Sequence, residues 1–149
     1  MSRAALLDVN VLVALFNSDH IHHDLAHDWF AEEGRANWAT CPVTEAGFVR
    51  VLCSPGYAGT LKRPADLADR LRRFRESGGD VFWPDDVSLL DASLSDLSRV
   101  AGHRRLTDVY LLGLAHTRRG RLVTFDRTAP LRAVRGATTA ALEVVPPAE

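Results

Sequence analysis

A chain of 149 residues has room for one globular domain. With 46% hydrophobic residues, 25% charged residues and a formal net charge of −1, its composition is that of an ordinary soluble protein, and no bulk charge draws it towards nucleic acid or a membrane surface. The apolar start of the chain is interrupted by Asp8 and Asn10, and no run reaches the ~18 apolar residues of a membrane span, so we expect neither a signal peptide nor a membrane segment. The two cysteines, Cys41 and Cys53, lack the spacing of a metal finger or a redox pair, which indicates a reducing compartment, the cytoplasm.

Short apolar runs alternate with amphipathic stretches, a pattern typical of βαβ units around a parallel sheet. In chain order, AALLDV predicts a first strand and NVLVALFN a short helix with Asn10 as its N-cap. HHDLAHDWFAEEG predicts a helix that ends at Gly34, ANWATC a second strand, and PVTEAGFVRVLCS a helix that Pro42 opens.

The second half of the chain continues the alternation. PADLADRLRRFRESGG predicts a helix, DVFWP a third strand and SLSDLSRVAG a short helix. TDVYLLGLAHTRRG predicts a helix with Thr107 as its cap and Gly120 as its end, RLVTFD a fourth strand and ALEVV a fifth. We therefore expect one α/β domain over residues 1–149, with a central, mostly parallel, five-stranded sheet flanked by helices and a frayed tail at 146–149.

Four acidic residues fall where strands end and helices begin. Asp8 ends the first strand and Asp126 the fourth, while Glu45 and Asp108 lie in the first turns of two helices. In a parallel sheet, the carboxyl ends of strands and the N-termini of the following helices share one edge, and open α/β sheets bind their ligands at that edge. Each acid alone is explained by a cap, a turn or a solvated charge, but together they are expected to converge in one pocket.

Converging carboxylates need a partner. Two like charges about 4 Å apart repel by roughly 4 kcal/mol at an effective dielectric near 20, and oxygen ligands without cysteine or histidine suit Mg²⁺ or Mn²⁺. Such a centre suits phosphodiester hydrolysis, because a metal lowers the pKa of a bound water and neutralises charge on the phosphate. Polar residues beside the acids are expected to orient the ligands or the water: Asn10, Thr107 and Thr124.

Four stretches of the chain resemble the PIN domain, and more narrowly the VapC-type toxins of bacterial toxin–antitoxin pairs: LLDVNVLVALF, SDHIHHDLAHDWF, CPVTEAGFVRVLCSP and RLTDVYLLGLAHTRRGRLVTFDR. The resemblance implies a parallel sheet flanked by helices, an acidic site that binds Mg²⁺ or Mn²⁺, and endoribonuclease activity. It places the family's acidic positions on Asp8, Glu45, Asp108 and Asp126, and a commonly polar position on Asn10. It further implies a VapB-type antitoxin that inserts a C-terminal segment into the acidic groove, and a homodimer.

The leading hypothesis is therefore a metal-dependent endoribonuclease, the toxin of a toxin–antitoxin pair, that cleaves RNA with a metal-activated water. Asp8, Asp108 and Glu45 are expected to hold the metal directly or through water, and Asp126 to assist. Two alternatives stay open: a metal-dependent phosphohydrolase for a small phosphate ester, with Asp8 as nucleophile, and a catalytically silent RNA- or protein-binding module. Asn10 counts against the phosphohydrolase, because such enzymes usually carry a second Asp at that position.

Histidines and arginines form further clusters. Four histidines lie near the start of the second helix: His20, His22, His23 and His27. His23 and His27 have metal-capable i, i+4 spacing, but no third ligand joins them at a recognisable distance along the chain, which favours a partly exposed helix start at the rim of the groove. Three arginines flank the acids and are expected to contact RNA phosphates: Arg104, Arg105 and Arg127. The arginines at 70–75 are expected to form a solvated helix face.

Overall fold

The structure of the protein, a computed structural model, describes residues 3–55 and 63–146. Five strands run through these residues and form one sheet: β1 (Ala5–Leu7), β2 (Trp38–Thr40), β3 (Asp80–Phe82), β4 (Arg121–Thr124) and β5 (Leu142–Val144). All neighbouring strands are parallel, in the order β3-β2-β1-β4-β5. The predicted α/β fold is confirmed, and the sheet is parallel throughout. Of the expected frayed tail, residues 147–149 lie outside the described part of the chain.

Helices alternate with the strands, as the sequence pattern predicts. The described α-helices are α1 (Val9–Phe16), α2 (His23–Trp29), α3 (Pro42–Leu52), α4 (Pro64–Glu76) and α5 (Leu106–Thr117). A π-helical turn over Phe30–Gly34 extends α2 to its predicted end. Short 3₁₀ turns occupy Leu97–Arg99, His103–Arg105, Leu131–Ala133 and Thr139–Ala141. Among the described helices, none combines the length and apolar character that crossing a bilayer requires.

The sheet separates two layers of core, because successive side chains of a strand point to opposite faces. Leu7, Trp38 and Val123 belong to the layer that α1 to α4 cover, together with the fully buried Phe48 of α3. The opposite layer contains Leu6, together with the buried side chains of α5. The face to which each strand residue points therefore determines which set of helices its side chain can meet.

The N-cap of the first helix lies two residues before the predicted one. β1 ends at Leu7, and the chain turns into α1 at Asp8, whose carboxylate accepts a hydrogen bond from the Val9 N–H at 2.8 Å. Asp8 is therefore the N-cap, and Asn10 lies exposed inside the first turn. The early end of the strand decides the position of the cap, since both residues are suitable capping types.

The segment before α5 contains less helix than predicted. Of residues 93–102, predicted to be a short helix, only Leu97–Arg99 forms a 3₁₀ turn. The Asp96 carboxylate accepts hydrogen bonds from the N–H of Ser98 at 3.1 Å and from its hydroxyl at 2.6 Å. Side-chain bonds of this kind compete with the backbone bonds of a helix, which explains why a sequence rich in Ser and Asp does not form a longer one.

Both ends of α5 differ from the predicted boundaries. Arg105 occupies the N-cap position without a side-chain cap bond, because the preceding 3₁₀ turn leads directly into the helix; Thr107 is not the cap. At the other end, Arg119 adopts a left-handed φ of 57° and the Gly120 N–H bonds to the Ala115 carbonyl at 2.8 Å, as in a Schellman motif. A Cβ on Gly120 would lie 2.4 Å from the Trp83 ring, so packing requires a glycine there.

Candidate active site

Asp8 lies at the carboxyl end of β1, where the sheet meets α1, and is only 9% exposed. One of its carboxylate oxygens accepts the Val9 N–H and the other accepts the Thr124 hydroxyl, both at 2.8 Å. The backbone N–H of Asp8 donates to the Val123 carbonyl at 3.0 Å. Contacts with α1 and β4 therefore fix both the position and the orientation of this carboxylate.

Asp126 follows β4 and is linked to Asp8 through a single hydroxyl group. The Thr124 oxygen that donates to Asp8 also accepts the Asp126 N–H at 3.1 Å. Asp126 Oδ1 in turn accepts the N–H of Thr128 at 2.8 Å and its hydroxyl at 2.6 Å. This Asx turn leaves Asp126 Oδ2 for a contact with Arg105.

Arg105 connects Asp126 to Asp108. It ends the 3₁₀ turn before α5, and Asp108 lies in the first turn of that helix. Arg105 Nη1 donates to Asp126 Oδ2 and lies 3.6 Å from Asp108 Oδ2. The side chain of Asp108 is 18% exposed. Three acids from the ends of β1 and β4 and the start of α5 thus form what we call the aspartate cluster: Asp8, Asp108 and Asp126.

The charges of the aspartate cluster perturb one another. Burial, followed by the negative charges of Asp8 and Asp126, raises the pKa of Asp108 to about 6. Burial also raises the pKa of Asp8, although hydrogen bonds stabilise its charged form. Hydrogen bonds from Thr128 and Arg105 lower the pKa of Asp126. The cluster therefore holds more negative charge than Arg105 compensates, which is the electrostatic state of a cation-binding site.

Glu45 belongs to a different polar network. Its carboxylate accepts the Thr40 hydroxyl at 2.8 Å and pairs with Arg75 Nη1 at 3.2 Å. Arg75 Nε also pairs with Asp80 Oδ2 at 3.0 Å. The expectation that Arg75 lies on a solvated helix face is therefore wrong, because the side chain turns from α4 to pair with two acids, Glu45 and the first residue of β3, Asp80.

Strand alternation explains why Glu45 is held apart from the aspartate cluster. Thr40, which binds Glu45, shares its strand face with Trp38 and points to the side of α1 to α4. Thr124, which binds Asp8, shares its face with Leu122 and points to the side of α5. All four acids lie at one edge of the sheet, but the residues that hold them point to opposite faces.

The described residues contain no group of three or more histidine, cysteine, aspartate or glutamate side chains arranged to hold a metal ion. Hydrogen-bond donors contact the carboxylate oxygens that would serve as ligands: Val9 and Thr124 on Asp8, and Arg105 and Thr128 on Asp126. The metal-binding and catalytic roles of the four acids therefore stay predictions.

The three polar residues predicted to orient ligands lie in different surroundings. Thr124 is buried and bonds directly to Asp8 and to the backbone of Asp126. Asn10 and Thr107 are exposed in the first turns of α1 and α5. The structure thus links Thr124 to the aspartate cluster through hydrogen bonds, whereas the roles of Asn10 and Thr107 stay predictions.

The structure gives two residues a part in the site that the sequence analysis does not predict, Arg105 and Thr128. The sequence predicts that Arg105 contacts RNA phosphates, as it does for Arg104 and Arg127, which are both exposed. In the structure Arg105 pairs with Asp108 instead, and the i, i+3 spacing of these two residues is the signal for that pairing. Thr128 follows Asp126 with the D-x-T spacing typical of an Asx turn, which is the signal for its hydrogen bonds to that carboxylate. Local side-chain patterns could therefore have identified both contacts.

His23 and His27 hold the C-terminus of α1. His23 Nδ1 bonds to the Ala14 carbonyl at 2.7 Å, and His27 Nε2 bonds to the Leu15 carbonyl at 2.8 Å. Because carbonyl oxygens accept, both ring nitrogens donate. The last carbonyls of a helix have no partner within it, so i, i+4 histidines on α2 satisfy two consecutive carbonyls of α1.

His20 and His22 lie closer to the aspartate cluster than His23 and His27 do. Their ring centroids are 6.1 Å and 4.6 Å from that of Phe125, the residue directly before Asp126. The His22 N–H donates to His20 Nδ1 at 3.0 Å. These contacts put the loop before α2 beside the end of β4, at the rim of the site.

Comparison with known proteins agrees with this geometry. The sequence profile of the PIN domain matches residues 5–136, which contain β1 to β4 and α1 to α5. The chain belongs to the PIN-domain family. This PIN domain is similar over most of its length to ribonucleases of Mycobacterium tuberculosis. It is 45% identical to Ribonuclease VapC39 over 122 residues, which cover 82% of this chain and 88% of that protein. It is 43% identical to Ribonuclease VapC44 over 134 residues (90% and 94%) and 48% identical to Ribonuclease VapC38 over 122 residues (82% and 84%).

Proposed function

We propose that this PIN domain is a metal-dependent endoribonuclease and the toxin component of a toxin–antitoxin pair. The observation that carries the proposal is the aspartate cluster, in which Asp8, Asp108 and Asp126 come from separate elements to one edge of the sheet. Identities of 43–48% to VapC ribonucleases support RNA as the substrate.

The oxygen-only donor set of the cluster fits a hard divalent cation, Mg²⁺ or Mn²⁺. Asp8 and Asp108 both have a raised pKa, because burial and neighbouring charge disfavour their ionised forms, and a cation held by the cluster would relieve both effects. Asp8 and Asp108 would hold the ion and Asp126 would support it, whereas Glu45 would take part through water, since Thr40 and Arg75 hold its carboxylate. When bound, the ion supplies a more acidic water and neutralises charge at the scissile phosphate.

The chain's own residues have separate tasks in this chemistry. Thr124 keeps Asp8 in one orientation and fixes its distance from Asp126 through a shared hydroxyl. A carboxylate of the cluster that is not fully occupied as a ligand would accept the proton of the water. Arg104 and Arg127, both exposed, would position the RNA backbone through its phosphates without reading its sequence.

The structure weighs against both alternatives. In a phosphohydrolase, Asp8 would attack phosphorus, yet both of its oxygens accept hydrogen bonds, from the Val9 N–H and the Thr124 hydroxyl, which lowers their nucleophilicity. Burial makes it costly to ionise Asp8 and Asp108, and a catalytically silent module would gain nothing from keeping these two carboxylates there. Acidic side chains that repel one another and are nevertheless held close together are typical of a site that binds a cation.

The remaining parts of the proposal concern partners and place. The negative charge of the aspartate cluster is complementary to a basic segment of a VapB-type antitoxin, which we propose as the protein partner. We also propose a homodimer and a cytoplasmic location, where RNA is available. Co-purification with the product of a neighbouring small gene tests the antitoxin, and light scattering of the purified protein tests the dimer.

Cleavage of RNA by the purified protein tests the proposed activity. With Mg²⁺ or Mn²⁺, we expect the wild-type protein to cut total RNA at discrete sites, and EDTA to stop the reaction. Asp8→Asn, which keeps the shape of the side chain, should abolish cleavage, whereas the matched variant Asp69→Asn on the exposed face of α4 should not. Equal cleavage by wild type and Asp8→Asn would contradict the proposal.

A further inference from the structure

Arg105 provides the positive charge that the aspartate cluster contains in this structure. Its Nη1 donates to Asp126 Oδ2 and lies 3.6 Å from Asp108 Oδ2. A single guanidinium thus spans acids that follow β4 and begin α5. An ion held by Asp8 and Asp108 with support from Asp126 would meet this guanidinium at two of those three carboxylates.

Neighbouring residues show that this guanidinium is not needed to build the local structure. Arg105 occupies the N-cap position of α5, yet its side chain makes no cap bond. Asp126 is fixed independently, because its other oxygen accepts two hydrogen bonds from Thr128. The Arg105 side chain is 38% exposed, so it can leave the cluster towards solvent without disturbing the core.

We propose that Arg105 is a built-in counter-cation of the aspartate cluster, which a divalent metal ion must displace from Asp108 and Asp126 in order to bind. This inference rests on the proposed function, since it presupposes that the cluster binds a metal. The guanidinium and the ion compete because both need the Asp108 carboxylate, and because they repel each other at close range. Displacement also frees Arg105 for the RNA phosphate contact predicted from the sequence, to which its planar fork is suited.

Measured Mn²⁺ affinity tests the competition directly, without RNA. The free Mn²⁺ signal in electron paramagnetic resonance gives the dissociation constant for the full-length protein and its variants. We expect Arg105→Gln to bind Mn²⁺ about tenfold more tightly than wild type, the effect of removing one competing positive charge that lies 3.6 Å from Asp108 Oδ2.

The neighbouring arginine provides a matched control. Arg104→Gln makes the same change in net charge one residue away, at an exposed position. We expect it to change the Mn²⁺ affinity by less than about twofold, because exposed charges are screened over short distances. Equal tightening in both variants would show a long-range charge effect and overturn the displacement of Arg105.

A measurement on the wild-type protein covers the case in which Arg105→Gln does not fold. The Nε–H resonance of Arg105, assigned by its loss in Arg105→Lys, should shift when Mg²⁺ saturates the site. An unmoved resonance, or unchanged Mn²⁺ affinity in a folded Arg105→Gln, would overturn this inference and leave the proposed function standing. Failure of all variants and of wild type to bind Mn²⁺ would contradict the proposed function and the inference with it.

Discussion

Asp108→Asn is predicted to abolish activity and, in the absence of metal, to stabilise the protein. Burial and the charges of Asp8 and Asp126 raise the pKa of Asp108 from 3.8 to about 6. Each unit of such a shift corresponds to ~1.4 kcal/mol, so the ionised carboxylate costs the folded protein up to about 3 kcal/mol. The amide removes this cost and loses the 3.6 Å contact with Arg105, so we expect a net gain of about 2 kcal/mol in the free energy of unfolding at pH 7.5.

The sign of the pH dependence makes the prediction specific. Because the pKa is higher in the folded protein, the cost is absent below the unfolded value of 3.8 and grows as the pH rises through about 6. Urea unfolding in EDTA should therefore show a large difference between Asp108→Asn and wild type at pH 7.5 and a small one at pH 4.5. Asp69→Asn, at an exposed position, should stay close to wild type at both. A variant no more stable than wild type at pH 7.5 would refute the reasoning.

Three further substitutions probe the surroundings of the site. Gly120→Ala places a Cβ 2.4 Å from the Trp83 ring and should lower the free energy of unfolding by about 1–3 kcal/mol in urea titrations. Thr124→Val removes a hydrogen bond to ionised Asp8 and so raises its pKa; the acidic limb of the pH–activity profile should move to higher pH, and Thr124→Ser should restore it. His27→Ala removes a bond to a helix-end carbonyl and should cost about 1 kcal/mol of stability without weakening Mn²⁺ binding.

The sheet and the place of the acids at its edge could be predicted because they follow from local patterns. Apolar runs bounded by polar residues mark the strands, and the parallel arrangement follows from their alternation with helices. Asp8 was informative in itself, since a carboxylate inside an apolar run needs a specific partner. The structure supplies that partner as Thr124, from a strand more than a hundred residues away.

The features that could not be predicted depend on tertiary contacts or on competing local bonds. The network of Glu45 requires knowledge of the strand face to which Thr40 points and of the reach of Arg75 from α4. The helix predicted over 93–102 is missing because Asp96 bonds to Ser98, an alternative that helical periodicity does not reveal. Spacing along the chain placed all four acids at one edge but could not divide them between two networks.

The most direct test of the central claim is the position of a bound metal ion. Crystals of the protein soaked in Mn²⁺ give an anomalous difference map that locates the ion without assumptions about activity. We predict a peak between the carboxylates of Asp8 and Asp108, with the Arg105 guanidinium moved away from it. A peak bound elsewhere, or no peak at a Mn²⁺ concentration that supports RNA cleavage, would contradict the account.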